Sequence, residues 1–258
     1  MTIWPRHDLS RQTLVINGAA SSIGMATARR AGLAGARCVL VDETAYRLDA
    51  LAAEITHTGG QAITAQLRNN NTQDFAHIAE LADRHFGGFD TWVNDPGWAS
   101  FGPLLDIDTD RHRELFERNL WSAVNGSLVA GEYLSRSGIQ NGTIVNIGSV
   151  ISAQDAPIQG MYSVSKQALI SFTRALQLEF DAAGTPLNSI LIDPASIIST
   201  GPSTFGLGRY FQARTDRNDP ADRIARVLLR HVCHANQHSR RTQPSAHADL
   251  DRPAPATR

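Results

Sequence analysis

Short apolar runs alternate with longer amphipathic stretches along most of the chain. The runs at 13–17, 38–42, 62–67, 91–94, 143–147 and 187–192 are rich in Val, Ile, Leu and Thr and predict strands. Between them, 23–34, 46–58, 72–86, 108–135 and 161–182 carry apolar residues at helical spacing. Strand, helix and strand repeated in this way predict an α/β fold. Its core is a single doubly wound parallel sheet with helices on both faces, a three-layer sandwich. No linker or internal repeat interrupts the alternation before residue 200, so one domain over 1–236 is expected. Its last element is a helix at 219–236, with Asp219-Pro220 as cap and first turn. Beyond it, 237–258 is rich in Pro, His, Arg and Ala and lacks any strand-like run, which predicts a loosely ordered tail.

Composition narrows the class. The 258 residues include 24 basic and 25 acidic side chains, for a net charge of −1. That balance argues against a dedicated nucleic-acid binder or a polybasic membrane binder. With 42% hydrophobic and 19% charged residues the chain can build a core. One domain of this length buries about 75% of its extended-chain surface and needs no staples. The two cysteines, Cys38 and Cys233, lie far apart, as expected in a reducing compartment. No apolar run approaches the roughly 18 residues of a membrane span. The first eleven residues lack the apolar core of a secretory signal. A soluble, cytoplasmic protein is expected, with no membrane or nucleic-acid partner.

Candidate chemistry begins where the first strand runs into Asn17-Gly18-Ala19-Ala20-Ser21-Ser22-Ile23-Gly24. Small residues between a strand and a helix let backbone N–H groups approach a pyrophosphate at the helix N-terminus. The second strand ends in Asp42, 24 positions after Gly18 and close to the spacing of an acid that binds an adenosine ribose. A carboxylate there accepts both ribose hydroxyls and repels a 2′-phosphate. Glu43 follows, and the nearest downstream cation is Arg47, so NAD is expected over NADP. The sharpest signal is Tyr162-Ser163-Val164-Ser165-Lys166, which places phenol and ammonium on one helix face. A neighbouring cation favours phenolate over phenol and suits a tyrosine for acid–base work. Lys166 is the only lysine among the 24 basic residues, the other 23 being Arg. A compact ammonium retained in so Arg-biased a chain points to a specific task. Ser149 closes the fifth strand, and ligands of open parallel sheets bind at the carboxyl ends of strands.

Together these residues resemble the short-chain dehydrogenase/reductase family, with its NAD(P)-binding Rossmann fold, over about residues 10–200. The family's Thr-Gly-x-x-x-Gly-x-Gly loop corresponds to Asn17, Gly18, Ser22 and Gly24, with Ser22 in place of the middle glycine. Its Asn-Asn-Ala-Gly motif corresponds to Asn94-Asp95-Pro96-Gly97, and its catalytic tetrad to Asn119, Ser149, Tyr162 and Lys166. The resemblance implies an NAD-dependent alcohol dehydrogenase or ketone reductase. In it Tyr162 is the general acid/base, Ser149 orients the carbonyl or alcohol, Lys166 binds the nicotinamide ribose and Asn119 holds a water of a proton relay. The implied cofactor contacts are Gly18, Ser21, Ser22, Ile23, Gly24, Asp42, Arg68, Asn69, Asn94, Gly97, Tyr162, Lys166, Pro194, Ile197 and Ser199. The partners implied are a small alcohol or ketone and a second copy of the chain, in a homodimer or tetramer.

The departures are specific. Arg68-Asn69 stands where the family has Asp-Val; Arg68 can stack on an adenine but accepts no hydrogen bond from it. Pro96 removes a backbone donor. The family's last strand has no counterpart in 237–258, so the sheet is expected to lack it. Phe205, Leu207, Tyr210 and Phe211 form either a substrate lid or a packing helix. Trp98, Phe101, Ile158 and Met161 would line an apolar pocket, with Arg209 its one nearby charge. His231, Cys233, His234 and His238 have spacings compatible with zinc, but a helix end running into a tail makes no metal site the expectation. Two other functions compete. One is a non-catalytic dinucleotide-sensing or scaffolding module, although this chain keeps both Tyr162 and Lys166. The other is nucleic-acid association through the ten Arg against five Asp from residue 209 onward, a modest excess without interleaved aromatics in the tail.

Overall fold

A computed structural model describes residues 8–95, 97–98, 102–149, 160–194 and 219–242. The elements are β1 (Thr13–Asn17), α1 (Ser22–Leu33), β2 (Arg37–Asp42), α2 (Ala45–His57), β3 (Gln61–Gln66), α3 (Thr72–Phe86) and β4 (Thr91–Asn94). There follow α4 (Thr109–Phe116), a π-helical turn (Glu117–Trp121), α5 (Ser122–Arg136), β5 (Thr143–Ile147), α6 (Gly160–Ala182), β6 (Asn188–Ile192) and α7 (Pro220–Thr242). Among the described residues the sheet has six strands, all parallel, in the order β3-β2-β1-β4-β5-β6. The expected doubly wound α/β sheet is present.

Alternation along each strand divides the core between the two faces. Leu14 and Ile16 of β1 pack with Leu40, Val93, α1, α2 and α7 on one side. Val15, between them, packs with Val39, Trp92, α3, α5 and α6 on the other. Strand order reverses between β1 and β4, which opens a crevice at their carboxyl ends. Beneath that crevice Asn17, Asn94 and Asn146 face one another across three strands. Asn94 Oδ1 accepts from Asn17 Nδ2 (3.3 Å) and Trp92 Nε1 (2.9 Å), while its Nδ2 donates to Asn146 Oδ1 (2.9 Å) and Ser127 Oγ (3.0 Å). Asn146 Nδ2 continues to Thr173 Oγ1 of α6 (3.0 Å). Polar groups buried here are thus satisfied within the protein, as burial demands, and they tie α5 and α6 to the middle of the sheet.

Two elements differ from expectation. The helix expected over 108–135 is interrupted by the π turn at Glu117–Trp121, where the Ser122 N–H bonds back to Glu117 O. One residue inserted into a turn leaves an apolar stripe legible on both sides, so periodicity does not reveal it. The final helix runs to Thr242 rather than stopping at Asn236. Gln237, Arg240 and Arg241 are good helix formers, and no Gly or Pro intervenes before Pro244. Among the described residues no helix is long and apolar enough to cross a membrane.

Candidate active site

The turn after β1 is built around backbone contact. Gly18 has φ +86°, and a Cβ on it would lie 2.2 Å from the Asp95 carbonyl oxygen. A Cβ on Gly24 would lie 2.2 Å from Gly18 O, so both positions require glycine. Ser21 caps α1 by accepting the Gly24 N–H at 2.8 Å. Ala20 N–H donates to Asp42 Oδ2 (3.1 Å), joining this turn to the end of β2. The Ser22 and Ile23 N–H groups at the start of α1 take no bond among the described residues, leaving a helix N-terminus suited to an anion. Ser22 is exposed at the first position of α1. The close-packed glycines and the unbonded amides fit a dinucleotide's pyrophosphate.

Around this turn the expected cofactor residues are unevenly gathered. Asp42 is half-buried, and its Oδ1 accepts from Thr44 N–H at 3.1 Å. Arg68 and Asn69 are exposed after β3, where both backbone amides donate to Asp74 Oδ2 (3.1 and 2.7 Å). Although burial acts to raise it, those amides hold the Asp74 carboxyl below its usual range. Asn94 is fully buried, paired in the sheet with Asn17 and Asn146, and its side-chain amide is engaged in the asparagine network. Gly97 is exposed, with open space where a Cβ would stand. Pro194 is buried just after β6. Ile197, Ser199, Pro96, Phe101, Ile158 and the 205–211 segment lie outside the described residues, as does Arg209.

The four residues of the expected tetrad come from the π turn, β5's end and α6. The Tyr162 hydroxyl donates to Ser149 Oγ at 3.2 Å. One turn along α6, Lys166 is only 2% exposed, and its Nζ donates to Ile147 O at 3.3 Å. Asn119 is fully buried within the π turn and clasps the backbone of Trp98: Oδ1 accepts Trp98 N–H at 2.8 Å and Nδ2 donates to Trp98 O at 2.7 Å. Met161 is half-buried at the start of α6. Ser149 and Tyr162 therefore meet directly, whereas Asn119 acts on the loop after β4.

Two residues belong to this neighbourhood that sequence reasoning did not single out. Asp95 is buried against the phosphate-loop turn, with its carboxyl bonded to Ser21 Oγ and its N–H to Asn17 O (2.9 Å). Burial pushes its pKa up to about 6, against the pull of Ser21, the Lys166 charge and the Gly24 N–H. Its place in the strand-four motif was visible, but its burial depends on packing. Arg118 immediately precedes Asn119, and its Nη1 lies 2.7 Å from Glu43 Oε2. Arg118, distant in sequence, therefore stands beside the acidic pair, where the sequence offered no cation nearer than Arg47 and none was expected. Among the described residues no group of three His, Cys, Asp or Glu side chains is placed to hold a metal ion.

The family model described as short chain dehydrogenase matches residues 12–200. The uncharacterized oxidoreductase YxnA of Bacillus subtilis is 33% identical over 189 residues, which cover 73% of this chain and 53% of that protein. The chain thus spans about half the length of that relative. A short chain dehydrogenase/reductase from Burkholderia phymatum, solved in complex with NAD, superposes with a TM-score of 0.76 at 21% identity, covering 88% of each chain. A metagenomic short-chain oxidoreductase, solved in complex with NADP, gives a TM-score of 0.72 at 24% identity over 89% of this chain and 94% of its own. At these identities the two structures share the fold with this chain.

Proposed function

We propose that this chain, which belongs to the short chain dehydrogenase family, is an NAD-dependent oxidoreductase. Its substrate is a small, mostly apolar alcohol or ketone. The observation that carries the reading is the Tyr162 hydroxyl bonded to Ser149 Oγ at 3.2 Å, one helical turn from the buried Lys166. A bound dinucleotide supplies the hydride donor or acceptor. The residues suited to hold it are the Gly18, Ser21, Ser22, Ile23 and Gly24 turn for the pyrophosphate and Asp42 for the adenosine ribose. Arg68 and Asn69 flank the adenine end. Asn94, Gly97, Pro194, Ile197 and Ser199 serve the nicotinamide end.

In the oxidising direction Tyr162 removes the alcohol proton, and in the reducing direction it returns one to the carbonyl oxygen. Ser149 holds that same oxygen by hydrogen bonding. Lys166 lies one helical turn further along α6, buried, with its Nζ donating to Ile147 O. Its compact ammonium also suits ribose hydroxyls. Because both polar ends of the Asn119 side chain are engaged by Trp98, a relay water would be held through the Asn119 backbone.

The test is a fluorescence titration of the protein with NADH, followed by a panel of apolar secondary alcohols and ketones. Saturable NADH binding with turnover of at least one panel member is expected. Lys166→Arg should weaken NADH binding and impair turnover, because a planar fork cannot replace the ammonium. A surface lysine would tolerate that exchange within about 0.5 kcal/mol. Absence of NADH binding would refute the reading.

A further inference from the structure

The crevice between β1 and β4 is crossed by a run of charges that the catalytic reading does not use. On one bank, Glu43 follows Asp42 at the end of β2. On the other, Arg118 sits in the π turn that follows β4 and α4. Arg118 Nη1 is 2.7 Å from Glu43 Oε2, and its Nε is 3.0 Å from Glu114 Oε1. The guanidinium also stacks 5.6 Å from the Trp98 ring centroid, with Arg111 over the same ring at 4.8 Å. Trp98 is fixed in turn by its paired backbone bonds to Asn119. On the β2 bank, Asp42 is anchored by the Ala20 and Thr44 amides, and Glu43 O accepts from Gln66 Nε2 at 3.1 Å. Three contacts, to Glu43, Glu114 and the Trp98 ring, therefore hold one cation beside the carboxylates that close β2.

A 2′-hydroxyl on an adenosine ribose asks for a carboxylate, whereas a 2′-phosphate asks for a cation able to give charge-assisted hydrogen bonds. Arg118 is such a cation, but its fork is already turned to two carboxylates. Of the other cations near this end, Arg47 lies against its neighbour Tyr46, with Nε 3.2 Å from the hydroxyl. Arg68 projects from the end of β3 as an exposed residue. We infer that the Glu43–Arg118 ion pair is the cofactor-selecting device of this chain: Glu43 holds the guanidinium that would otherwise bind a 2′-phosphate, and so excludes NADP. Asp42 alone repels the phosphate; Glu43 also removes its most suitable partner.

The inference rests on the dinucleotide reading proposed above, and one set of titrations separates the two. NADH and NADPH affinities are measured by fluorescence for the unaltered chain and for Glu43→Gln, Arg118→Gln and the double variant. The readout is the ratio of NADPH to NADH affinity, which each variant supplies as its own control for folding. Glu43→Gln should raise that ratio by about tenfold or more, the scale of one released charge-assisted bond. Adding Arg118→Gln should abolish the gain. An unchanged ratio in Glu43→Gln, or a gain that survives in the double variant, overturns the inference while leaving the dinucleotide reading intact. Failure of the unaltered chain to bind either nucleotide overturns both.

Discussion

At the scale of single residues, the site combines a buried cation with a buried acid. Lys166, the one lysine of the chain, is almost fully covered, and Asp95 is the acid whose carboxyl it influences. Asp95 has a folded-state pKa of about 6, raised above the unfolded carboxylate value by burial. The native state therefore binds the extra proton between these two values. The contribution of Asp95 to stability is fully present below the unfolded pKa, falls as pH rises, and becomes a constant cost above about 6. Asp95→Asn keeps a partner for Ser21 and removes the charge. At pH 8 it should be more stable than the unaltered chain by up to about 3 kcal/mol, and the gap should close towards pH 4. Urea unfolding at the two pH values checks this; a gap that does not shrink on acidification contradicts it.

At the scale of elements, α7 shows the opposite linkage. It docks on α1 through Asp222, which pairs with Arg30 (Nη2 to Oδ2, 2.6 Å) and with Arg226 on its own helix (2.6 Å). Although burial acts to raise it, the two guanidiniums hold the Asp222 carboxyl below its usual range. Its stabilisation is thus present above the unfolded carboxylate pKa and lost as pH falls through the lower folded value. Asp222→Asn should cost about 1–3 kcal/mol at neutral pH, with less difference in acid, as read by thermal unfolding. How far each element was legible follows from the range of its determinants. Helix α3 begins and ends where expected because its signals are local: Asn71 caps it, Asp74 enters its first turn and Gly87 ends it at φ +74°. The β1 run was equally plain, since helices cover both its faces. The π turn and the reach of α7 were not legible, because an inserted residue and a modest helix propensity leave no periodic mark. The Tyr162-to-Lys166 spacing announced its own face, whereas Arg118 meets Glu43 across 75 residues of sequence, a contact that exists only once the sheet has formed.

Across the whole molecule, α5 and α6 carry apolar side chains that stand exposed among the described residues. Trp121 at the head of α5 and Leu128 within it are 46% and 49% exposed; Val164 and Leu178 of α6 are 51% and 68% exposed. These helices are expected to pair with their own copies about a two-fold axis, giving at least a dimer. Light scattering at micromolar concentration should report a mass of two chains or more, and Leu128→Arg with Leu178→Glu should lower it; a monomer before substitution contradicts the expectation. Whether the Tyr162 hydroxyl carries the proton of a hydride transfer is decided by Tyr162→Phe. The assay is NADH formation with an alcohol the unaltered chain oxidises, alongside NADH affinity by titration. The substitution removes one hydroxyl, so NADH should still bind while turnover falls by roughly 100-fold or more, the scale of general acid–base catalysis. Full turnover in Tyr162→Phe would contradict a proton-transfer role for this hydroxyl.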